Sequence, residues 1–206
     1  MARNNVKTKK LTIYAMIVAI ELLLGLTVLG YIKIGVVELT IMQLPVIIGG
    51  VLLGPWAGAF FGGVFGLTSF YQCFGMSAFG ATLLGINPFY TFILCFFPRL
   101  IMGFLVGLIS QQMSRNITAK KFAPFVASLS GALLNTILFC VTLILLFWNT
   151  EYIQSLASGL PVFPFLAAFV GVNGLIEAAV CFVIGSAVCK ALYVFKEKIG
   201  LGGVIK

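Results

Sequence analysis

Uninterrupted apolar blocks, long enough to cross a lipid bilayer, recur along the whole of this 206-residue chain. A helix that spans the hydrocarbon core needs about 20 such residues. Strands of a membrane barrel would instead alternate polar and apolar residues at every second position, and these blocks do not alternate. Hydrophobic residues make up 61% of the chain and charged ones 9%, against about 25% charged in a soluble domain. The mean hydropathy is +1.16. One water-soluble core cannot hide this much apolar surface, so the chain is expected to be an all-α integral membrane protein. The first ten residues, MARNNVKTKK, lead into an apolar run with no small-residue cleavage site, which reads as a retained first helix.

Six transmembrane helices are expected, at about 11–31, 38–53, 57–72, 86–113, 123–149 and 164–195, forming a single membrane domain over 1–206. Leu53-Gly54-Pro55 breaks the second from the third, because proline cannot continue the hydrogen-bond ladder. Asn87-Pro88 opens the fourth. Basic residues set the orientation. Arg3, Lys7, Lys9 and Lys10 precede the first span; Arg115, Lys120 and Lys121 lie between spans four and five; Lys190, Lys196, Lys198 and Lys206 close the chain. With six spans these segments share one side, and they hold eleven of the thirteen basic residues. The positive-inside rule makes that side, with both termini, cytoplasmic. The formal charge of +8 thus reflects topology and anionic lipid rather than nucleic acid. The outward loops are then 32–37, 73–85 and 150–163.

Missing residue types exclude much chemistry. The chain has neither histidine nor aspartate, so a Ser-His-Asp triad, imidazole metal ligation and a Walker-B aspartate are all impossible. No phosphate-binding G-x-x-x-x-G-K-[ST] loop is present either. Cys73, Cys95, Cys140, Cys181 and Cys189 form no C-x-x-C pair and read as small buried hydrophobes. The expectation is no enzyme, no cofactor and no metal.

What remains is a few polar residues at costly depth. Arg99 lies some thirteen residues into span four, directly after Pro98. An arginine at a helix centre costs about 2.5–3.5 kcal/mol on insertion scales, so it needs a partner, a cavity or a ligand. Asn135 lies near the middle of span five, and Glu177 follows Asn173 by one turn in span six. Four polar groups from three successive helices suggest one polar pocket. Either Arg99 and Glu177 pair with each other while the amides bridge helices, or Arg99 receives an anionic ligand and the amides bind its polar atoms. The residues alone leave both open. Gln72, Asn87 and Tyr90 are candidates for the outward end of the pocket. Glu21 in span one is a second buried carboxylate candidate, and Glu38 reads as interfacial. Gly58, Gly62 and Gly66 recur every four residues in span three, the signature of close helix packing, and Ala15-x-x-x-Ala19 gives span one a smooth stripe.

Taken together, these segments resemble the substrate-binding S components of energy-coupling factor (ECF) vitamin transporters. The resemblance rests on the basic N-terminus, Ala15-x-x-x-Ala19, Leu29-Gly-Tyr-Ile-x-Ile-Gly35, Gln43-Leu-Pro-Val-Ile-Ile-Gly-Gly50, Leu53-Gly-Pro55 and Gly66-Leu-Thr-Ser69. It continues through Pro98-Arg99, Gly131-x-x-x-Asn135-Thr136 and Asn173-x-x-x-Glu177. The Pro-Val-Ile-Ile-Gly block with Leu-Gly-Pro is most similar to the pantothenate-specific branch. Gln43 departs from the pattern, standing where related sequences often carry histidine, near the pocket entrance.

The resemblance implies a bacterial cell-membrane subunit that binds a vitamin tightly from outside. It would then associate with a transmembrane T component and two cytoplasmic ATPase subunits, and topple so that its pocket faces inward. Ala15 and Ala19 would form the docking surface for the T component. Pantothenate offers a carboxylate, an amide and two hydroxyls. Arg99 would pair with the carboxylate, Asn135 and Asn173 with the amide or hydroxyls, and Glu177 with a hydroxyl or with Arg99. Riboflavin, pyridoxine, a thiamine precursor or cobalamin are the alternative ligands. A proton-coupled secondary carrier using Glu21 or Glu177 is the alternative mechanism.

Overall fold

The structure, a computed structural model, describes residues 2–27, 31–34, 37–115 and 122–191. Helix α1 (Ala2–Leu26) leads into a short antiparallel hairpin of β1 (Tyr31–Ile34) and β2 (Val37–Thr40). Helices α2 (Gln43–Leu53), α3 (Pro55–Gln72), α4 (Ala78–Ile86) and α5 (Pro88–Ser114) follow. Then come α6 (Ala123–Phe147), the short α7 (Glu151–Ala157) and α8 (Val162–Val180), which runs through a π-helical turn at Cys181–Gly185 and on to residue 191.

Helix dominates the described residues, as expected, and the differences lie in the connections and in the length of the second helix. The first outward loop and the start of the second span are a hairpin rather than a loop and a helix. Tyr31 pairs with Thr40, Ile32 with Leu39, Lys33 with Glu38 and Ile34 with Val37. Tyr31, Ile32, Ile34, Val37 and Thr40, one aromatic and four β-branched residues, suit a pleated ribbon better than a helix start. Helix α2 therefore begins at Gln43, not at 38. Its eleven residues rise about 17 Å, too little to cross a hydrocarbon core of about 30 Å alone. The loops expected at 73–85 and 150–163 carry α4 and α7. Each is capped by a hydroxyl, Ser77 accepting from the Gly80 N–H and Thr150 from the Ile153 N–H.

Among the described residues, three helical stretches are long and apolar enough to cross a membrane by themselves: Pro88–Ser114, Ala123–Phe147 and Gly174–Ala191. Glu151–Ala157 with Val162–Gly171, bent by 78°, makes a fourth if counted as one span. Large apolar side chains point outward, with Trp56 81% and Leu145 77% exposed. Such a surface suits hydrocarbon, not water.

The α2–α3 break is set by Gly54, whose φ of +95° is open to glycine, followed by Pro55 at the first helical position. Helix α3 then packs along α5 through its glycine row. At Gly58 a Cβ would strike the carbonyl of Gly103, and at Gly66 it would come within 2.7 Å of the Phe96 Cα. Close backbone approach of this kind is what a small-residue stripe permits. Two larger apolar clusters and a smaller one around Leu44, Ala132, Ala178 and Cys181 result; the larger two concern the cavity. One gathers Ile17, Met42, Val46, Phe61, Phe65 and Met102; the other gathers Leu83, Leu94, Leu143, Phe147, Ile153 and Phe165. A polar cavity touches both.

Candidate functional site

The cavity measures about 820 Å³ and is lined from five helices, with Phe65, Leu83 and Leu94 joining it to the two apolar clusters. That volume lies within the range of small-molecule sites, about 300–1,000 Å³. Helix α3 contributes Ser69 and Gln72, with Cys73 just beyond its end. Helix α4 lies along one side with Ala78, Phe79 and Gly80. Helix α5 supplies Thr91, Cys95 and Arg99, spaced every four residues so that all three share one face. Helix α6 supplies Asn135, Thr136, Phe139 and Cys140, and α8 supplies Phe169 and Glu177.

Arg99 is the one arginine of the lining, and its guanidinium is held on three sides. Its Nη1 donates to the carbonyl of Leu94 at 2.7 Å. Its Cζ lies 4.9 Å from the centre of the Phe139 ring and 5.6 Å from that of Phe65. Those distances are within cation–π range, where an aromatic face replaces part of a cation's lost hydration. The Nε is buried and has no hydrogen-bond partner among the described residues. Arg99 and Glu177 both line the cavity. An arginine clamped at its faces and anchored at one nitrogen, with a donor left over, is arranged to receive an anion.

Asn135 complements it. The residue is buried, and its Oδ1 has no partner among the described residues. A buried acceptor without a donor costs about 1–3 kcal/mol, and a ligand hydroxyl or amide N–H would supply the donor. Cys73 and Cys95 meet at 3.8 Å between sulfurs, both free, and Cys73 also contacts the Ser69 carbonyl.

The sequence candidates separate into two groups. Arg99, Asn135, Glu177 and Gln72 line the cavity. Gln72 is also structural, since its Nε2 donates to the carbonyl of Gly25 at 2.7 Å and ties α3 to α1. Asn87, Tyr90 and Gln43 are absent from the lining. Asn87 caps α5 by accepting from the Tyr90 N–H at 3.1 Å. Tyr90 is exposed and meets Phe147 edge-on. Gln43 is fully buried at the start of α2, where its Nε2 donates to the sulfur of Cys181 at 2.9 Å. Asn173 falls within α8, but its side chain lies outside the described residues. Ala15 and Ala19 are exposed on α1, whereas Ile17, Glu21 and Gly25, at four-residue spacing, form its buried face. Glu21 is fully buried with neither carboxylate oxygen partnered among the described residues, and it does not line the cavity.

Ser69, Thr91, Thr136 and the aromatic walls Phe65, Phe79, Phe139 and Phe169 are lining residues that the sequence reading missed. Spacing held the available signal. Thr91 stands two turns before Arg99, and Phe139 one turn after Asn135, so each shares a face with a residue already singled out.

Comparison with known proteins gives one family. The model for "ECF transporter, substrate-specific component" matches residues 9–188. The chain is similar to the pantothenate transporter PanT of Leuconostoc mesenteroides subsp. mesenteroides, at 30% identity over 97% of this chain and 100% of that protein. It is also similar to the pantothenic acid transporter PanT of Lactococcus lactis subsp. cremoris, at 27% identity over 76% of this chain and 78% of that one.

Proposed function

The chain belongs to the substrate-specific components of ECF transporters, and from that premise we propose that it captures pantothenate in the α3–α8 cavity for an ATP-driven importer. It is a multi-pass bacterial membrane protein of a vitamin-transport family. The observation that carries the ligand assignment is Arg99, anchored to the Leu94 carbonyl between two phenyl rings with a buried donor left over. The names of its relatives point to the same vitamin.

Arg99 pairs with the carboxylate of pantothenate, where a charge-assisted bond away from bulk water is strongest. Asn135 Oδ1 accepts from the amide N–H or a hydroxyl, Asn173 serves the same polar atoms, and Glu177 accepts from a hydroxyl. The phenyl walls cover the ligand's methyl groups. Gln72 holds the cavity rim through Gly25. Asn87, Tyr90 and Gln43 serve the scaffold rather than the ligand.

Six crossings would put the three basic segments, with both termini, on one side, which the positive-inside rule makes cytoplasmic. Ala15 and Ala19, exposed on α1, dock a transmembrane T component that works with two cytoplasmic ATPase subunits, so energy for import comes from partners. The buried Glu21 carboxyl favours the second reading, a proton-coupled carrier. Its position off the cavity lining places it second. Proteoliposomes separate the two. Uptake that needs the T component, the ATPases and ATP supports the first reading. Uptake by the chain alone under a pH gradient overturns it.

A further inference from the structure

We propose that Pro98, which does not line the cavity, sets its preference for a carboxylate by fixing the way Arg99 presents its guanidinium. This inference rests on Arg99 being the carboxylate site.

Pro98 is buried in the interior of α5. In an α-helix the N–H of residue 98 would bond the carbonyl of residue 94. Proline has no N–H, and its ring pushes that carbonyl aside. Leu94 is thus the residue whose carbonyl the helix ladder leaves without its usual donor. An unpartnered carbonyl at membrane depth is strongly unfavourable, and Arg99 Nη1 is the donor that reaches it, at 2.7 Å. The side chain of Arg99 runs back toward the helix N-terminus, the direction helical side chains take.

Geometry then limits what the guanidinium can offer. Phe139 and Phe65 lie against the group. One N–H of Nη1 is committed to Leu94, and the buried Nε has no partner among the described residues. What remains is the second N–H of Nη1, both of Nη2 and that of Nε, a planar fork of parallel donors. That fork matches the two oxygens of a carboxylate. The neighbouring proline and arginine therefore act as one device, in which the first frees a backbone acceptor and the second is locked by it. Restoring an N–H at position 98 lets the helix satisfy Leu94 itself and releases Arg99 to other rotamers.

The test is equilibrium binding to the full chain in nanodiscs. The probes are pantothenate and its alcohol analogue, in which the carboxylate is reduced to a hydroxymethyl group. For Pro98→Ala, pantothenate affinity is expected to fall about 10- to 100-fold, the range of a lost charge-assisted bond. The alcohol should change by no more than roughly twofold, so the acid-over-alcohol preference collapses. Pro98→Ser, which also restores the N–H, should do the same and covers any failure of the alanine variant to fold. Arg99→Gln should abolish the preference, and adding Pro98→Ala to it should change nothing further. A preference that survives both Pro98 variants while Arg99→Gln removes it overturns the role of Pro98 and leaves the arginine assignment standing. A preference that survives Arg99→Gln overturns the carboxylate assignment and this inference with it.

Discussion

A Cβ on Gly62 would occupy the space held by the carbonyl oxygen of Arg99. The backbone of the cavity's arginine is thus seated directly against α3, while its side chain is fixed by Leu94. Gly63, one residue on, is different: its Cβ would meet only the Phe96 ring, at 3.6 Å, an ordinary contact.

Gly62→Ala is therefore expected to destabilise the protein by about 1–3 kcal/mol through overpacking and to weaken pantothenate binding by displacing Arg99. Gly63→Ala should be nearly neutral in both. Thermal unfolding in detergent, with and without ligand, checks the pair. Equal effects would show that the Gly62–Arg99 contact is not what positions the site.

Asn135→Ala removes a buried acceptor that the ligand is proposed to satisfy. Affinity should fall by about 1–2 kcal/mol, the worth of a hydrogen bond in a dry site. The ligand-free protein should not lose stability, because the Oδ1 has no partner among the described residues to lose. Titration calorimetry and unfolding of the apo form report the two halves. A stability loss without an affinity loss would make Asn135 a helix-bridging residue.

Asn87→Ala, Tyr90→Phe and Gln43→Ala should leave the pantothenate Kd within roughly twofold, since they lie away from the cavity and act independently of it. Their cost is expected in stability instead. Loss of the Asn87 cap on α5 should cost about 0.5–2 kcal/mol. A large rise in Kd for any of them, with stability intact, would extend the binding site to that residue.

The cysteines supply an internal control. Cys73, Cys95 and Cys140 line the cavity, whereas Cys181 and Cys189 do not, and all five are buried and free. Pantothenate should slow alkylation of the first three by a small maleimide and leave the other two unchanged, as read by mass spectrometry of the digested protein. Uniform protection would point to global tightening rather than occupancy of this cavity.

How far the sequence reached follows from what each residue costs. Arg99, Asn135 and Glu177 were legible because a charge or amide in an apolar helix is expensive wherever it faces lipid, and helix spacing brought them to one place. Pro55 marked the α2–α3 break through its missing N–H. Ser69, Thr91 and Thr136 were not legible, because a hydroxyl in an apolar helix can bond its own turn and carries no such signal. Thr91 does this, donating to the Asn87 carbonyl. The hairpin was hidden because its two four-residue strands are too short to show a period. The burial of Gln43 was hidden for a tertiary reason: its partner, Cys181, lies 138 residues away. The Arg99–Glu177 alternative was undecidable from spacing, since helical depth does not say which way a guanidinium turns.

Equilibrium binding of a vitamin panel to the purified chain alone, without ATP or partner subunits, tests the capture role most directly. Tight, nanomolar binding of pantothenate, with riboflavin, pyridoxine, thiamine precursors and cobalamin excluded, is the expected result. A folded chain that binds none of them, or binds another member of the panel in place of pantothenate, would contradict it.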